Sequence, residues 1–208
     1  MYLPQRRLQA ALRDDIRSDL NKENGNSSGG GDFFVPFWAD ARLHVMDVKD
    51  LNESTQARVR DNKVRARLYP LLASGFLTWW DEKRRWINEP YEYIPKNIKT
   101  QYLFNEIDCT LKIENLISVQ IHDGSHRLIY PYFSEVPALN EEAARLGLYI
   151  LDQSLSAYST DEMRVFDVMR SASFSVQDSP FQGNERELFA QKYAFVEREW
   201  ERLRADYP

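Results

Sequence analysis

Three histidines, one cysteine and several clustered cations are the groups here whose types and spacing could do chemistry. His122 and His126 bracket Asp123-Gly124, and with Asp123 they could meet across a hairpin as metal ligands. A zinc centre wants a fuller set of His, Cys or carboxylate ligands at defined spacing. No second cluster follows and His44 stands far off, so hairpin-surface histidines are expected and no metal site is assigned. Cys109 is the only cysteine; it can form neither an intrachain disulfide nor a thiolate cluster. With no adjacent base in sequence, it reads as a small buried hydrophobe. The one glycine run, residues 29–31, lacks the Lys-Ser/Thr pair and the strand-to-helix turn of a phosphate loop. No Gly-x-Ser-x-Gly elbow occurs either.

The cations are more suggestive. Arg58, Arg60, Lys63, Arg65 and Arg67 crowd a segment that reads as one helix running to about Tyr69. On a helical wheel Arg60, Lys63 and Arg67 share a face, while Arg58 and Arg65 fall opposite. The run Trp79-Trp80-Asp81-Glu82-Lys83-Arg84-Arg85-Trp86 mixes cations with indoles. Such mixing suits base stacking beside phosphate contact. A core tryptophan face with solvated charges opposite is the expected account, and base stacking the alternative. Arg60, Lys63, Arg67, Lys83, Arg84 and Arg85 are therefore the candidate nucleic-acid contacts.

These groups sit in a chain of 208 residues, the length of one domain with room for an arm. Apolar residues make up 43% and aromatic residues 13%, enough to build a core dominated by rings. The net charge of -5 gives no global attraction to phosphate backbones, so any such contact must be local. The opening MYLPQRRLQAALRDD has no signal-peptide pattern. No stretch approaches the roughly 20 apolar residues of a membrane span. With the single cysteine, this points to a soluble, cytoplasmic protein with no membrane contact.

Residues 5–21 read as a helix with Leu8, Leu12, Ile16 and Leu20 on one stripe. A Gly/Ser/Asn connector follows over residues 24–32. We expect residues 1–31 to be a helical arm and linker, and residues 32–208 a single α+β domain. The arm's stripe is the expected docking element for a partner or a second copy, with packing on its own domain the alternative. Residues 33–48, with Pro36 inside, read as a loop leading into a short element. Leu68, Leu72, Phe76 and Trp79 continue a helical stripe after Pro70. Residues 89–100 read as a loop. Thr110 to Glu114 alternates like a strand, and Asp123-Gly124 between two apolar runs signals a hairpin. Residues 140–151 read as a buried helix. Two further strands are expected near residues 164–169 and 171–176. Phe189, Tyr193, Val196, Trp200 and Leu203 mark a long amphipathic C-terminal helix. The expected fold is α+β: a small mixed sheet with a central β-hairpin, packed by a buried helix and by the C-terminal helix.

That order of parts resembles the PD-(D/E)XK nuclease core in its RecB-like form. The resemblance places Asp108, in Glu106-Ile107-Asp108, at the first metal-ligand position. Leu128-Ile129-Tyr130-Pro131-Tyr132 occupies the Asp/Glu-x-Lys position, and Arg145-Leu146-Gly147-Leu148-Tyr149 the Gln-x-x-x-Tyr helix motif. Tyr130 then stands where the acid belongs and Tyr132 where the lysine belongs. A phenol, with ordinary pKa near ~10, is neutral at pH 7 and a poor magnesium ligand. The resemblance therefore implies a decayed, non-catalytic copy. We expect an accessory or binding protein, part of a nucleic-acid-processing or defence assembly, with no cofactor. One rival is an active nuclease holding divalent metal through Asp108, Glu135 and Glu142. Another is a structural interaction subunit docking through its first helix.

Overall fold

The computed structural model describes residues 2–25, 33–95 and 98–207. Six α-helices are present among them: α1 Gln5–Glu23, α2 Val35–Val45, α3 Leu51–Asp61, α4 Leu68–Leu77, α5 Glu141–Ser154 and α6 Glu185–Arg204. The strands are β1 Tyr91–Tyr93, β2 Thr100–Phe104, β3 Cys109–Ile113, β4 Ile117–Ile121, β5 His126–Tyr132, β6 Met163–Asp167 and β7 Ala172–Phe174. Five form one sheet in the order β1-β4-β5-β6-β7, and β2-β3 is a separate antiparallel pair. β5 and β6 are parallel, joined through α5, and the other neighbours are antiparallel. The fold is thus α+β, with a mixed sheet and a long C-terminal helix.

Alternation along the central strands divides the core in two. Ile129 and Phe166 face α2 and α4, joining Phe37, Trp38, Phe76 and Trp80. Leu128 and Val165 face α5, joining Leu148, Leu151, and Phe104 of the smaller sheet. A sheet covered on both faces needs apolar residues at successive positions, which is the pattern of β5 and β6. The Asp123-Gly124 turn forms as expected: Gly124 takes φ +86°, and the Asp123 carboxylate accepts the Ser125 N–H at 2.8 Å. No described helix is long and apolar enough to cross a membrane.

Several expected boundaries change. Residues 35–45 are helix, not loop, because Pro36 lies in the first turn, where its missing N–H costs no bond. Phe37, Trp38, Ala41 and Val45 supply the buried stripe. The helix expected to run to Tyr69 breaks at Asn62, whose φ of -141° is extended and whose Oδ1 accepts the Val64 N–H. Lys63–Ala66 is a 3-10 turn, so the wheel grouping of Arg60, Lys63 and Arg67 does not apply. β1 lies inside the expected loop, bonded to the edge of β4.

The first helix packs on the chain itself. Leu8, Leu12 and Ile16 of α1 are buried with Leu203 of α6, and Leu20, Val196 and Trp200 close the cluster. Gln9 donates to Glu199, and Arg13 pairs with Asp206 at 3.1 Å. The stripe expected to meet a partner is therefore covered by α6, because an apolar face of this size finds the nearest complementary one. Most of the expected linker, residues 26–32, lies outside the described residues, including the run at 29–31.

Candidate functional site

Of the positions that the nuclease resemblance singles out, Tyr132 and Arg145 are held by structural contacts. Asp108 sits at positive φ, 44°, in the exposed turn between β2 and β3, outside the five-stranded sheet. Tyr132 donates its hydroxyl to the Pro137 carbonyl at 2.7 Å. Tyr130 borders an apolar pocket of about 270 Å³ with Leu111, Ile113, Leu146 and Phe189, and burial pushes its phenol up. Arg145 is buried against Glu185, and Tyr149 packs edge-on to Phe181. Glu135 is taken by both amino groups of Arg67, and Glu142 by Tyr2 and Lys192. The metal set expected of the active-nuclease rival, Asp108 with Glu135 and Glu142, is not assembled: no three His, Cys, Asp or Glu side chains gather for a metal among the described residues. His126 turns from the hairpin tip to Glu162, Nδ1 to Oε1 3.2 Å.

The cationic candidates separate into two groups. Arg60 and Lys63 are exposed, and the exposed Arg67 is paired with Glu135. Lys83, Arg84 and Arg85 lie where α4 passes into a π-helical segment, Thr78–Lys83, closed by the Arg84 N–H on the Trp79 carbonyl. Such widened turns often mark functional positions. Of the two accounts of the indoles, the core tryptophan face is the one present. Trp79, Trp80 and Trp86 are buried in the core, because each ring has a larger apolar surface than the outer face can shelter. Their contribution is to hold Arg84. Its guanidinium carbon lies 4.3 Å from the Trp80 ring centre, 4.8 Å from Trp86 and 5.4 Å from Tyr91.

Beside Arg84 the sheet supplies two more arginines. Arg127 and Arg164 stand at the beginnings of the parallel strands β5 and β6, on the same face as Ile129 and Phe166. Each is pinned by one amino group to backbone carbonyls: Arg127 to His126 at 2.7 Å, Arg164 to Asp161 at 2.6 Å and Met163 at 2.7 Å. Burial, then the neighbouring Arg127 charge, lowers Arg164 to about 10. Burial also lowers Arg84. Buried nitrogens of Arg84 (Nε, Nη1) and of Arg127 (Nε) have no hydrogen-bond acceptor among the described residues. Neither arginine, nor Arg164, has a carboxylate within ion-pair distance there. Arg85 differs, pairing with Asp178 at 2.6 Å.

These side chains line two adjoining clefts. One, of about 290 Å³, lies between the Lys83–Trp86 segment and Ser171–Ser173. The second, of about 510 Å³, shares Arg85, Trp86 and Arg164 with it and extends past Arg127. In the smaller cleft four cations meet one carboxylate, Asp178; such an excess is electrostatically costly, and a bound anion relieves that cost. Arg127, Arg164, Ser171 and Ser173 were not among the sequence candidates. Their convergence depends on parallel pairing of two strands some 35 residues apart, with Ile129 opposite Arg164, and no local pattern encodes that.

No family model, no curated protein and no solved structure matches this chain.

Proposed function

We propose that this chain is a non-catalytic binding protein, an accessory subunit of a nucleic-acid-processing assembly on a decayed nuclease-like core, and that it meets its ligand through the arginine clefts. The observation that carries the reading is the smaller cleft, where Lys83, Arg84, Arg85 and Arg164 face one carboxylate, Asp178. Arg84 and Arg164 are half-buried, where an unpaired charge is costly and a ligand of opposite sign offsets that cost. The non-catalytic half draws on Tyr130 and Tyr132, one in an apolar wall and one bonded to Pro137. The nuclease kinship draws on the β4–β5 hairpin followed by the β5-α5-β6 crossover.

The test has two arms. Purified protein is incubated with single- and double-stranded DNA and with RNA, in magnesium or manganese; intact nucleic acid is the expected result. Cleavage that vanishes in Asp108→Ala would overturn the non-catalytic reading. In the second arm, polyphosphate is titrated while tryptophan emission is followed, since Trp79 and Trp86 line the smaller cleft. A saturable change that weakens with salt supports the clefts as the ligand face, and its absence refutes that assignment.

A further inference from the structure

Resting on the reading of these clefts as the ligand face, we propose that the smaller cleft seats the phosphate of a phosphomonoester. The phosphate takes the Lys83–Arg85 and Arg164 side, and the rest of the ligand lies in the adjoining cleft. Lys83, Arg84, Arg85 and Arg164 line the smaller cleft against one carboxylate, Asp178. That leaves an excess of three positive charges, suited to a dianion more than to a monoanion. Arg84 is fixed by its three aromatic neighbours and Arg164 by two carbonyls, so little side-chain freedom is lost when an anion arrives. Guanidinium groups present paired N–H donors in the geometry that phosphate oxygens accept.

The serines on the opposite wall add neutral donors. Ser173 Oγ accepts the Trp79 indole N–H at 3.0 Å, which leaves its own O–H to donate elsewhere. Ser171 sits at positive φ, 52°, in the tight turn before β7 and lines the same cleft. Arginines plus hydroxyls around one cleft match the several acceptor oxygens of a terminal phosphate.

The surroundings favour a monoester over an internal phosphodiester. Glu89, Asp123, Asp161 and Glu162 line the adjoining cleft, where a nucleic-acid strand would place its next phosphates. Successive phosphodiesters would meet these carboxylates, and the chain's net charge of -5 supplies no wider attraction. The same carboxylates, with Ser125, Ser159 and Gln177, can hydrogen-bond hydroxyl groups. A sugar phosphate and the phosphorylated end of a nucleic acid share this chemistry.

The full chain is titrated, with tryptophan emission as readout, against glucose phosphate, glucose, inorganic sulfate, and one short single-stranded oligonucleotide with and without its terminal phosphate. Glucose phosphate is expected to bind and glucose not. Because a monoester gains its second charge near pH ~6, affinity should rise about tenfold between pH 5 and pH 7. Sulfate should show no such rise. Lys83→Ala, on an exposed side chain, and Ser173→Ala should each lower affinity by about tenfold, the scale of one hydrogen bond to a charged group. Circular dichroism checks that both variants are folded. Tighter binding of the phosphorylated oligonucleotide than of glucose phosphate would assign the seat to a nucleic-acid end; the reverse would assign it to a small sugar phosphate. Equal binding of the oligonucleotide with and without its terminal phosphate, together with no glucose phosphate binding, would overturn this inference and leave the clefts as an anion-binding face. Failure of every anion, polyphosphate included, would overturn both.

Discussion

The Arg145 guanidinium of α5 faces the Glu185 carboxylate at the start of α6, Nε to Oε1 3.1 Å, with both side chains out of water. The contact is ionic, without the alignment of a good hydrogen bond. Glu185 also accepts the N–H groups of Gln182 and Gly183 at 2.6 and 3.0 Å, so one carboxylate ties α5, a loop and α6 together. Removing one member of a buried pair strands the other's charge and costs about 3–5 kcal/mol. Glu185→Gln is expected to lose stability in that range by urea unfolding at pH 7. A loss below about 1 kcal/mol would show that Arg145 finds another partner.

The same carboxylate predicts an acid response. Burial alone would raise Glu185, but the backbone donors of Gln182, Glu185 and Gly183, with Arg145, outweigh it and hold the group below the ordinary carboxylate range. A carboxyl with a depressed folded pKa contributes stability above its unfolded pKa, near ~4.3, and loses it as pH falls through the folded value. Between pH 7 and pH 3 the unmodified chain should therefore lose more stability than Glu185→Gln. Parallel pH curves for the two proteins would contradict this.

These two residues also show what could be read from the chain beforehand. Local signals were legible: the Asp123-Gly124 turn, the apolar run from Ala143 to Leu151, and the stripe from Phe189 to Leu203 all became the expected elements. Arg145 was placed by its motif position, yet its use is set by Glu185, 40 residues later, which no periodicity connects to it. The cleft was half visible for the same reason. Lys83, Arg84 and Arg85 are adjacent in sequence, whereas Arg127 and Arg164 reach them only through the parallel pairing of β5 with β6. Pro36 misled because a proline in a first turn and a proline in a loop look alike without the following helix in view.

Close packing gives the next prediction. Gly75 in α4 lies against the backbone of the turn after β6, and a Cβ there would come within 2.0 Å of the Val168 carbonyl oxygen. The obstacle is backbone on both sides, so no rotamer can relieve it. Gly75→Ala should lower stability by about 3 kcal/mol or more, at or above the usual range for overpacking, although alanine is the better helix former. The shift in the urea midpoint measures it. An unchanged or raised midpoint would mean that α4 stands off from that turn.

The last prediction concerns the packing of α1 on α6. Ile16 and Leu203 are both fully buried, and Leu8 and Leu12 are 5% and 6% exposed. An isolated helix of this length is marginal in water, so α1 depends on the surface it covers. Ile16→Ala should cost about 2–4 kcal/mol, the range for emptying a well-packed aliphatic site. Leu203→Ala should cost a similar amount, and the double variant less than the sum. Truncating either side chain already spoils the same cluster, so a coupling of about 0.5–3 kcal/mol is expected between neighbours. Mass by light scattering should stay unchanged in all three variants. If Ile16→Ala instead leaves the melting temperature alone and lowers the mass, the helix serves assembly with another chain. If the two costs simply add, α1 and α6 do not share a core in solution.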